Sequence, residues 1–221
     1  MKIILTGATG MIGEGILLEC LADSRITEIL SVSRKPCGKT HPKLKECIVP
    51  DFLALPENDE RLIGYDACFF CAGISSVGMD QIAYERITYD TTLQLARAIG
   101  PNPNMSFIYV SGSGTDSSEK GKLHWARVKG KTENDLMKLP FKQAFGFRIG
   151  IVQPAAGQAH VLSFYKYLAW MMPVLKSLFP AITNTMKQVA EAMIQVSEKG
   201  YPRNVIYVKD IHQLNAGKLT P

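Results

Sequence analysis

The chain has 221 residues, 46% hydrophobic and 20% charged, with a net charge of +5. That length and composition describe a single α/β-sized globular unit with ample core material and exclude a disordered or fibrous chain. The charge is mild and its Lys and Arg residues are scattered, which leaves no basic patch for nucleic acid.

Taken in order, Ile3 to Leu5 read as a first strand that stops at Gly7, and Ile12, Ile16, Leu17 and Leu21 mark a following helix. The run T-G-A-T-G-M-I-G, Thr6 to Gly13, therefore lies between a strand and a helix N-terminus. N–H groups at the start of a helix lack partners and favour an anion. Gly7 permits a tight turn, Gly10 lets the backbone approach phosphates, and Gly13 lets helix and strand pack closely. Thr9, Met11 and Ile12 complete this expected cradle for a nucleotide pyrophosphate. Its spacing is G-x-x-G-x-x-G, not the commoner G-x-G-x-x-G.

Glu28 to Ser33 read as a second buried strand, broken by Arg34-Lys35-Pro36, and Glu46 to Pro50 as a third, ended by Asp51. Asp66 to Cys71 form a fourth, ended by Ala72-Gly73. Within it, Cys68 and Cys71 have C-x-x-C spacing but read as buried small hydrophobes, not a redox pair. With Cys20, Cys37 and Cys47 they make five cysteines without histidines at metal-like spacing, so no metal is expected. Ile82, Ile87, Leu93, Leu95, Ala96 and Ile99 predict a helix between Met79 and Ile99, before Gly100-Pro101. Met105 to Val110 are a fifth strand running into Ser111-Gly112-Ser113-Gly114-Thr115, and Asp116 to Lys122 a surface loop. A helix is expected from His124 to Leu139, before Pro140, and a sixth strand from Ala144 to Ile149.

Alternating buried strands and helices predict a doubly wound parallel sheet in the order 3-2-1-4-5-6, with ligand at the carboxyl ends of the strands. Asn184 to Ser197 add a helix and Asn204 to Val208 a late strand that can extend the sheet. The whole chain, 1–221, is expected to be one domain, with 155–204 forming a helical cover on the substrate side. Val161 to Phe179 are bulky and apolar, but Lys166, Lys176 and Pro173 argue against a membrane span. That segment is expected to pack as cover, with docking on a membrane surface or a partner as the alternative. The N-terminus lacks the features of a signal peptide. With free thiols, this predicts a cytoplasmic protein.

The order of these motifs resembles the short-chain dehydrogenase/reductase superfamily in its extended or atypical branch, from Thr6–Gly13 to about residue 154. Cys71-Ala72-Gly73 matches a glycine-containing turn beside the cofactor, and Arg148-Ile149-Gly150 with Pro154 resembles the family's R-P-G-x-x-x-P stretch. Val128-Lys129-Gly130-Lys131-Thr132-Glu133 is similar to the V-K-G-x-x-E of TIP30-like proteins. The resemblance implies a Rossmann-like fold, a nicotinamide dinucleotide, a small carbonyl or hydroxyl substrate, and a homodimer as one possible assembly. Cofactor choice is then read at the end of the second strand, where a carboxylate would hold the ribose 2′-hydroxyl of NAD. Here stand Ser33-Arg34-Lys35. Arg34 offers a fork of donors and Lys35 a point charge, so NADP(H) is expected over NAD(H), unless the two are a solvated surface pair. Asp51 falls where the superfamily often places an acid beside adenine, with Phe52 able to pack there; a plain strand-ending aspartate is the alternative.

The superfamily's Tyr-x-x-x-Lys puts a phenol and an ammonium on one helix face. This chain has Trp125-Ala126-Arg127-Val128-Lys129. Lys129 occupies the lysine position, where the resemblance implies contact with the nicotinamide ribose. Trp125 replaces the tyrosine, and an indole N–H donates a hydrogen bond but shuttles no proton near neutral pH. Ser111 and Ser113 are the candidates to touch a substrate oxygen, with Thr115 as understudy. His124 has a suitable pKa range for proton transfer but points about 100° from its neighbour. Tyr165 or Tyr167 could replace the tyrosine from the cover. Two functions stay open on this reading: an NADP-dependent oxidoreductase or epimerase-like enzyme, and an NADP(H)-binding sensor with little catalysis.

Overall fold

The computed structural model describes residues 1–161 and 182–217. Strand β1 (Lys2–Thr6) leads through the glycine turn into helix α1 (Met11–Ala22), followed by β2 (Glu28–Ser33), β3 (Leu44–Ile48) and β4 (Ala67–Phe70). Helix α2 (Gln81–Glu85) passes through one π turn, Arg86–Asp90, into α3 (Thr91–Ala98). Then come β5 (Ser106–Gly112), α4 (His124–Leu136), β6 (Gln143–Ile149), β7 (Ile151–Gln153), β8 (Thr183–Thr185), α5 (Met186–Lys199), β9 (Val205–Tyr207) and α6 (Val208–Asn215).

Seven strands form one sheet in the order β3-β2-β1-β4-β5-β6-β9, every pair parallel. This is the doubly wound order read from the sequence, with β9 as the additional strand. Ile4 stands level with Leu30 on β2 and with Cys68 on β4, at the centre of the sheet. Strand side chains alternate between faces, so a parallel strand covered on both sides reads as a continuous apolar run. Ile3 and Leu5 pack with α1 and α5 on one face, whereas Ile4 packs with Leu93 and Leu95 of α3 on the other. Each such buried aliphatic side chain contributes about 1.5–3 kcal/mol.

The same alternation settles the C-x-x-C. Cys68 belongs to one core face and Cys71 packs against the other, so they lie on opposite sides of β4. All five thiols are free, and burial pushes those of Cys20, Cys68 and Cys71 upward.

Three local features differ from the sequence expectation. The helix expected over Met79–Ile99 begins at an Asp80 cap, whose carboxylate accepts from the Ala83 N–H at 3.0 Å, and its register shifts at the π turn. In consequence Ile82 is 79% exposed instead of lying in the core. A second, two-stranded sheet of β7 and β8 has no counterpart in the expected elements; its strands have three residues each, too short for a periodic signal. Helix α5 starts at Met186 behind a Thr185–Gln188 capping box, and it packs against α1 in the sheet-covering layer.

Part of the expected cover, residues 162–181 with Tyr165 and Tyr167, lies outside the described residues. Among the described residues no helix is long and apolar enough to cross a membrane.

Candidate functional site: a glycine-turn cavity beside a tied-up β5–α4 region

The turn after β1 has the geometry its glycines predict. Gly7 has φ +74°, and a Cβ there would sit 2.7 Å from the carbonyl carbon of Cys71. A Cβ at Gly13 would run into the carbonyl oxygen of Gly7, so helix and turn meet only because Gly13 lacks one. The Gly10 N–H closes the turn onto the Gly7 carbonyl at 2.8 Å. Helix α1 has Gly10 as its N-cap and no side chain bonding its first turn, which leaves N–H groups for an anion. Thr6 adds a feature that sequence reasoning missed. Its buried hydroxyl accepts from the N–H groups of Cys71 and Ala72, both at 3.1 Å, and so ties the end of β4 to the glycine turn.

In front of this turn lies a cavity of ≈ 470 Å³ at the carboxyl ends of β1, β2 and β4. Of the expected cofactor residues, Gly7, Thr9, Gly10, Arg34, Asp51, Phe52, Cys71, Ala72 and Gly73 line it. Met11, Ile12 and Gly13 form the first turn of α1 behind the lining, and Lys35 and Lys129 do not line it. Ser33 donates its hydroxyl to the Lys35 carbonyl at 2.6 Å, shaping the loop that presents Arg34. Asp51 accepts from the Leu53 N–H at 2.9 Å, capping the short turn Phe52–Ala54. Val32, Ile74, Arg86, Ile87 and Thr91 also line the cavity; the last three come from the π turn and the start of α3, which no periodicity announces.

Glu14 closes the edge of the cradle. Its fully buried carboxylate takes the Lys39 ammonium at 2.8 Å, the N–H groups of Ala159 and His160 at 3.0 and 2.6 Å, and lies 3.0 Å from His160 Nδ1. Burial alone would raise its pKa, but Lys39 and the two N–H groups outweigh this and hold it at about 2. The Gln158 amide donates to the Met11 carbonyl, so residues 158–160 are strapped onto the first turn of α1.

Beyond β5 the polar groups face one another. Ser111 donates to Glu133 at 2.6 Å, and Glu133 pairs with Arg148 at 2.5 Å; all three side chains are buried. Arg148 also donates to Ser117 and to the Tyr207 hydroxyl. Ser113 donates to the Ile149 carbonyl at 3.1 Å, and Thr115 accepts from the Gly112 N–H at 3.3 Å. The Trp125 ring lies against Gly112 and Gly114. His124 is half-buried with its ring edge-on to Tyr84, centroids 6.2 Å apart.

The Lys129 ammonium stands 5.8 Å from the centre of the Tyr109 ring. Burial lowers its pKa, with Glu133 one helical turn on acting in the opposite direction. The structure thus places Ser111 and Ser113 at the end of β5 and His124 and Lys129 on α4, none of them in the cavity lining.

A parallel sheet of this order, with a glycine turn at its switch point and an open cavity before it, defines a Rossmann-type dinucleotide-binding fold. No protein-family model matches the chain. Among solved structures it is similar to the Bordetella bronchiseptica enzyme WbmF in complex with NAD+, with TM-score 0.64 and 15% identity over 100% of this chain and 79% of that one. The oxidoreductase ylbE from Lactococcus lactis gives TM-score 0.61 and 16% identity over 98% of this chain and 97% of that one. The fold is therefore the one the resemblance to the short-chain dehydrogenase/reductase superfamily implies.

Among curated proteins, Protein FMP52, mitochondrial, of Chaetomium globosum is 29% identical over 157 residues, 69% of this chain and 64% of that protein. Leucinostatins biosynthesis cluster protein T of Purpureocillium lilacinum is 30% identical over 143 residues, 63% and 52% respectively. The Debaryomyces hansenii FMP52 protein is 22% identical over 205 residues, 90% and 88%. The match thus spans less than two thirds of the first two relatives. The mitochondrial names of the FMP52 relatives overturn the expectation of a cytoplasmic location. Reduced thiols report a reducing milieu and carry no address.

Proposed function

We propose that the chain is an NADP(H)-binding oxidoreductase or epimerase-like enzyme of the short-chain dehydrogenase/reductase type, acting on a small carbonyl or hydroxyl substrate. The observation that carries this reading is the cavity in front of the uncapped α1 N-terminus. Arg34 stands at the end of β2 without an ion pair among the described residues, where an NAD-selective site would hold a carboxylate. The solved neighbour WbmF is named as a complex with NAD+, which supports a dinucleotide of this kind. Bound there, a nicotinamide dinucleotide would supply hydride exchange with carbon.

The chain's own residues divide the remaining work. The α1 N–H groups receive the pyrophosphate and Arg34 the 2′-phosphate. Phe52 packs on the adenine with Asp51 beside it, and Lys129 holds the nicotinamide ribose. Ser113, exposed although its hydroxyl donates to the Ile149 carbonyl, and His124 serve a substrate oxygen, whereas Ser111 is buried and gives its proton to Glu133.

Titration of the chain with NADPH and NADH tests the reading. Tighter NADPH binding is expected. Tighter NADH binding overturns the NADP assignment, and binding of neither overturns the dinucleotide reading. One observation favours a second function, an NADP(H)-responsive binding protein: Trp125, lying against Gly112 and Gly114, takes the place of the proton-shuttling tyrosine. A carbonyl-substrate screen with NADPH separates the two. Turnover whose pH profile loses a limb in His124→Ala supports catalysis, and saturable binding with no turnover supports the binding protein.

A further inference from the structure

Arg86 owes its position to a break in helical regularity. The chain leaves α2 at Glu85 and makes one π turn before α3, with the Thr91 N–H returning to the Arg86 carbonyl five residues back. The Thr91 hydroxyl donates to the same carbonyl at 3.2 Å, bracing the turn. Such turns insert one residue into a helix and recur at functional sites. Here the inward side of the helix keeps Tyr84, Thr88 and Thr92 buried, while Arg86, Ile87 and Thr91 face the cavity.

The charge on Arg86 is not neutralised. Its neighbour Glu85 is engaged by Lys131 at 2.9 Å, and no ion pair joins Arg86 to any described carboxylate. Arg34, which lines the same cavity, is equally unpaired among the described residues. Asp51, the single lining carboxylate among the described residues, is occupied in capping its own turn. Two guanidiniums with free forks against one engaged carboxylate form an anion-selective lining, and a guanidinium fork matches phosphate oxygens. We propose that Arg86 is a phosphate-binding residue of this cavity, a second guanidinium besides Arg34 that holds a phosphate of the bound dinucleotide. The inference rests on the dinucleotide reading above and adds a lining residue from the π turn between α2 and α3.

The test is titration of the full chain with NADPH and with NADH, for the wild type, Arg86→Gln, Arg86→Lys and Arg34→Gln. Arg86→Gln is expected to weaken NADPH binding about tenfold, as loss of a charged hydrogen bond does. Arg86→Lys should recover part of that loss. Loss confined to NADPH assigns Arg86 to the 2′-phosphate, and equal loss with NADH assigns it to the pyrophosphate; both support the inference. Because Arg86 is exposed, the thermal midpoint of the unliganded variant should match the wild type, which separates binding from folding. If Arg86→Gln binds both dinucleotides as the wild type does, the inference is overturned while the dinucleotide reading stands. A wild type that binds neither dinucleotide overturns both.

Discussion

At the carboxyl ends of β1, β2 and β4 polar groups look into open space; at the end of β5 they look at one another. The first region presents the uncapped α1 N-terminus, Arg34 and Arg86 to a cavity of ≈ 470 Å³. In the second, Ser111, Glu133, Arg148, Ser117 and Tyr207 form a chain of mutual hydrogen bonds that fastens α4 to β5, β6 and β9. The contrast is physical. A donor without a protein partner on a cavity wall is available to a ligand, whereas a buried ion pair needs every remaining lone pair and proton satisfied to offset desolvation. The molecule is thus prepared for binding at one end and held rigid at the other, and Lys129 sits on the rigid helix with Glu133 one turn beyond it.

Removing the carboxylate of Glu133 should break the contrast most severely. Glu133→Ala strands Arg148 in the interior and is expected to cost about 3–5 kcal/mol in urea unfolding, with the double variant Glu133→Leu/Arg148→Met recovering much of it. A loss below about 1 kcal/mol would show that the Glu133–Arg148 pair does not hold α4.

Acid should act next, through Glu14, the one buried acid at the cradle's edge. Its folded pKa of about 2 lies below the ordinary 4.5, so its contribution is complete above that ordinary value and is lost as pH falls from about 5 toward 2. The linkage is worth up to about 3 kcal/mol, and Glu14→Gln should flatten this limb of the stability–pH curve.

Gly13→Ala forces a Cβ against the Gly7 carbonyl; a cost of about 1–3 kcal/mol is expected, together with loss of dinucleotide binding followed by fluorescence. Arg34→Gln should leave stability unchanged and weaken NADPH about tenfold, about 1.4 kcal/mol, with little change for NADH. The smallest effect is expected at Ser113. Its bond to the Ile149 carbonyl is partly exposed, so Ser113→Ala should cost no more than about 1 kcal/mol in unfolding. A drop in turnover without that stability change would mark it as a substrate contact.

Much of this was legible in the chain before folding was considered. Continuous apolar runs such as Ile3–Leu5 carry their own strand signal, and Gly7 and Gly13 announce a turn that only glycine permits, so the sheet order and the phosphate cradle follow from local chemistry. Arg34 was readable because it follows β2 directly.

Other features depend on partners distant in sequence. Thr6 is an ordinary strand residue until it meets the N–H groups of Cys71 and Ala72, and Ser111 resembles a substrate-contacting serine until Glu133 and Arg148 arrive from α4 and β6. The π turn at Arg86–Asp90 leaves no mark in apolar periodicity, yet it puts Arg86 on the cavity and Ile82 in water. The sequence by itself determined where the glycine turn and the open α1 N-terminus lie, because strand, turn and helix start are local. Only the tertiary structure decided which polar side chains remain free to touch one, because each polar group's availability depends on partners brought in from elsewhere in the chain.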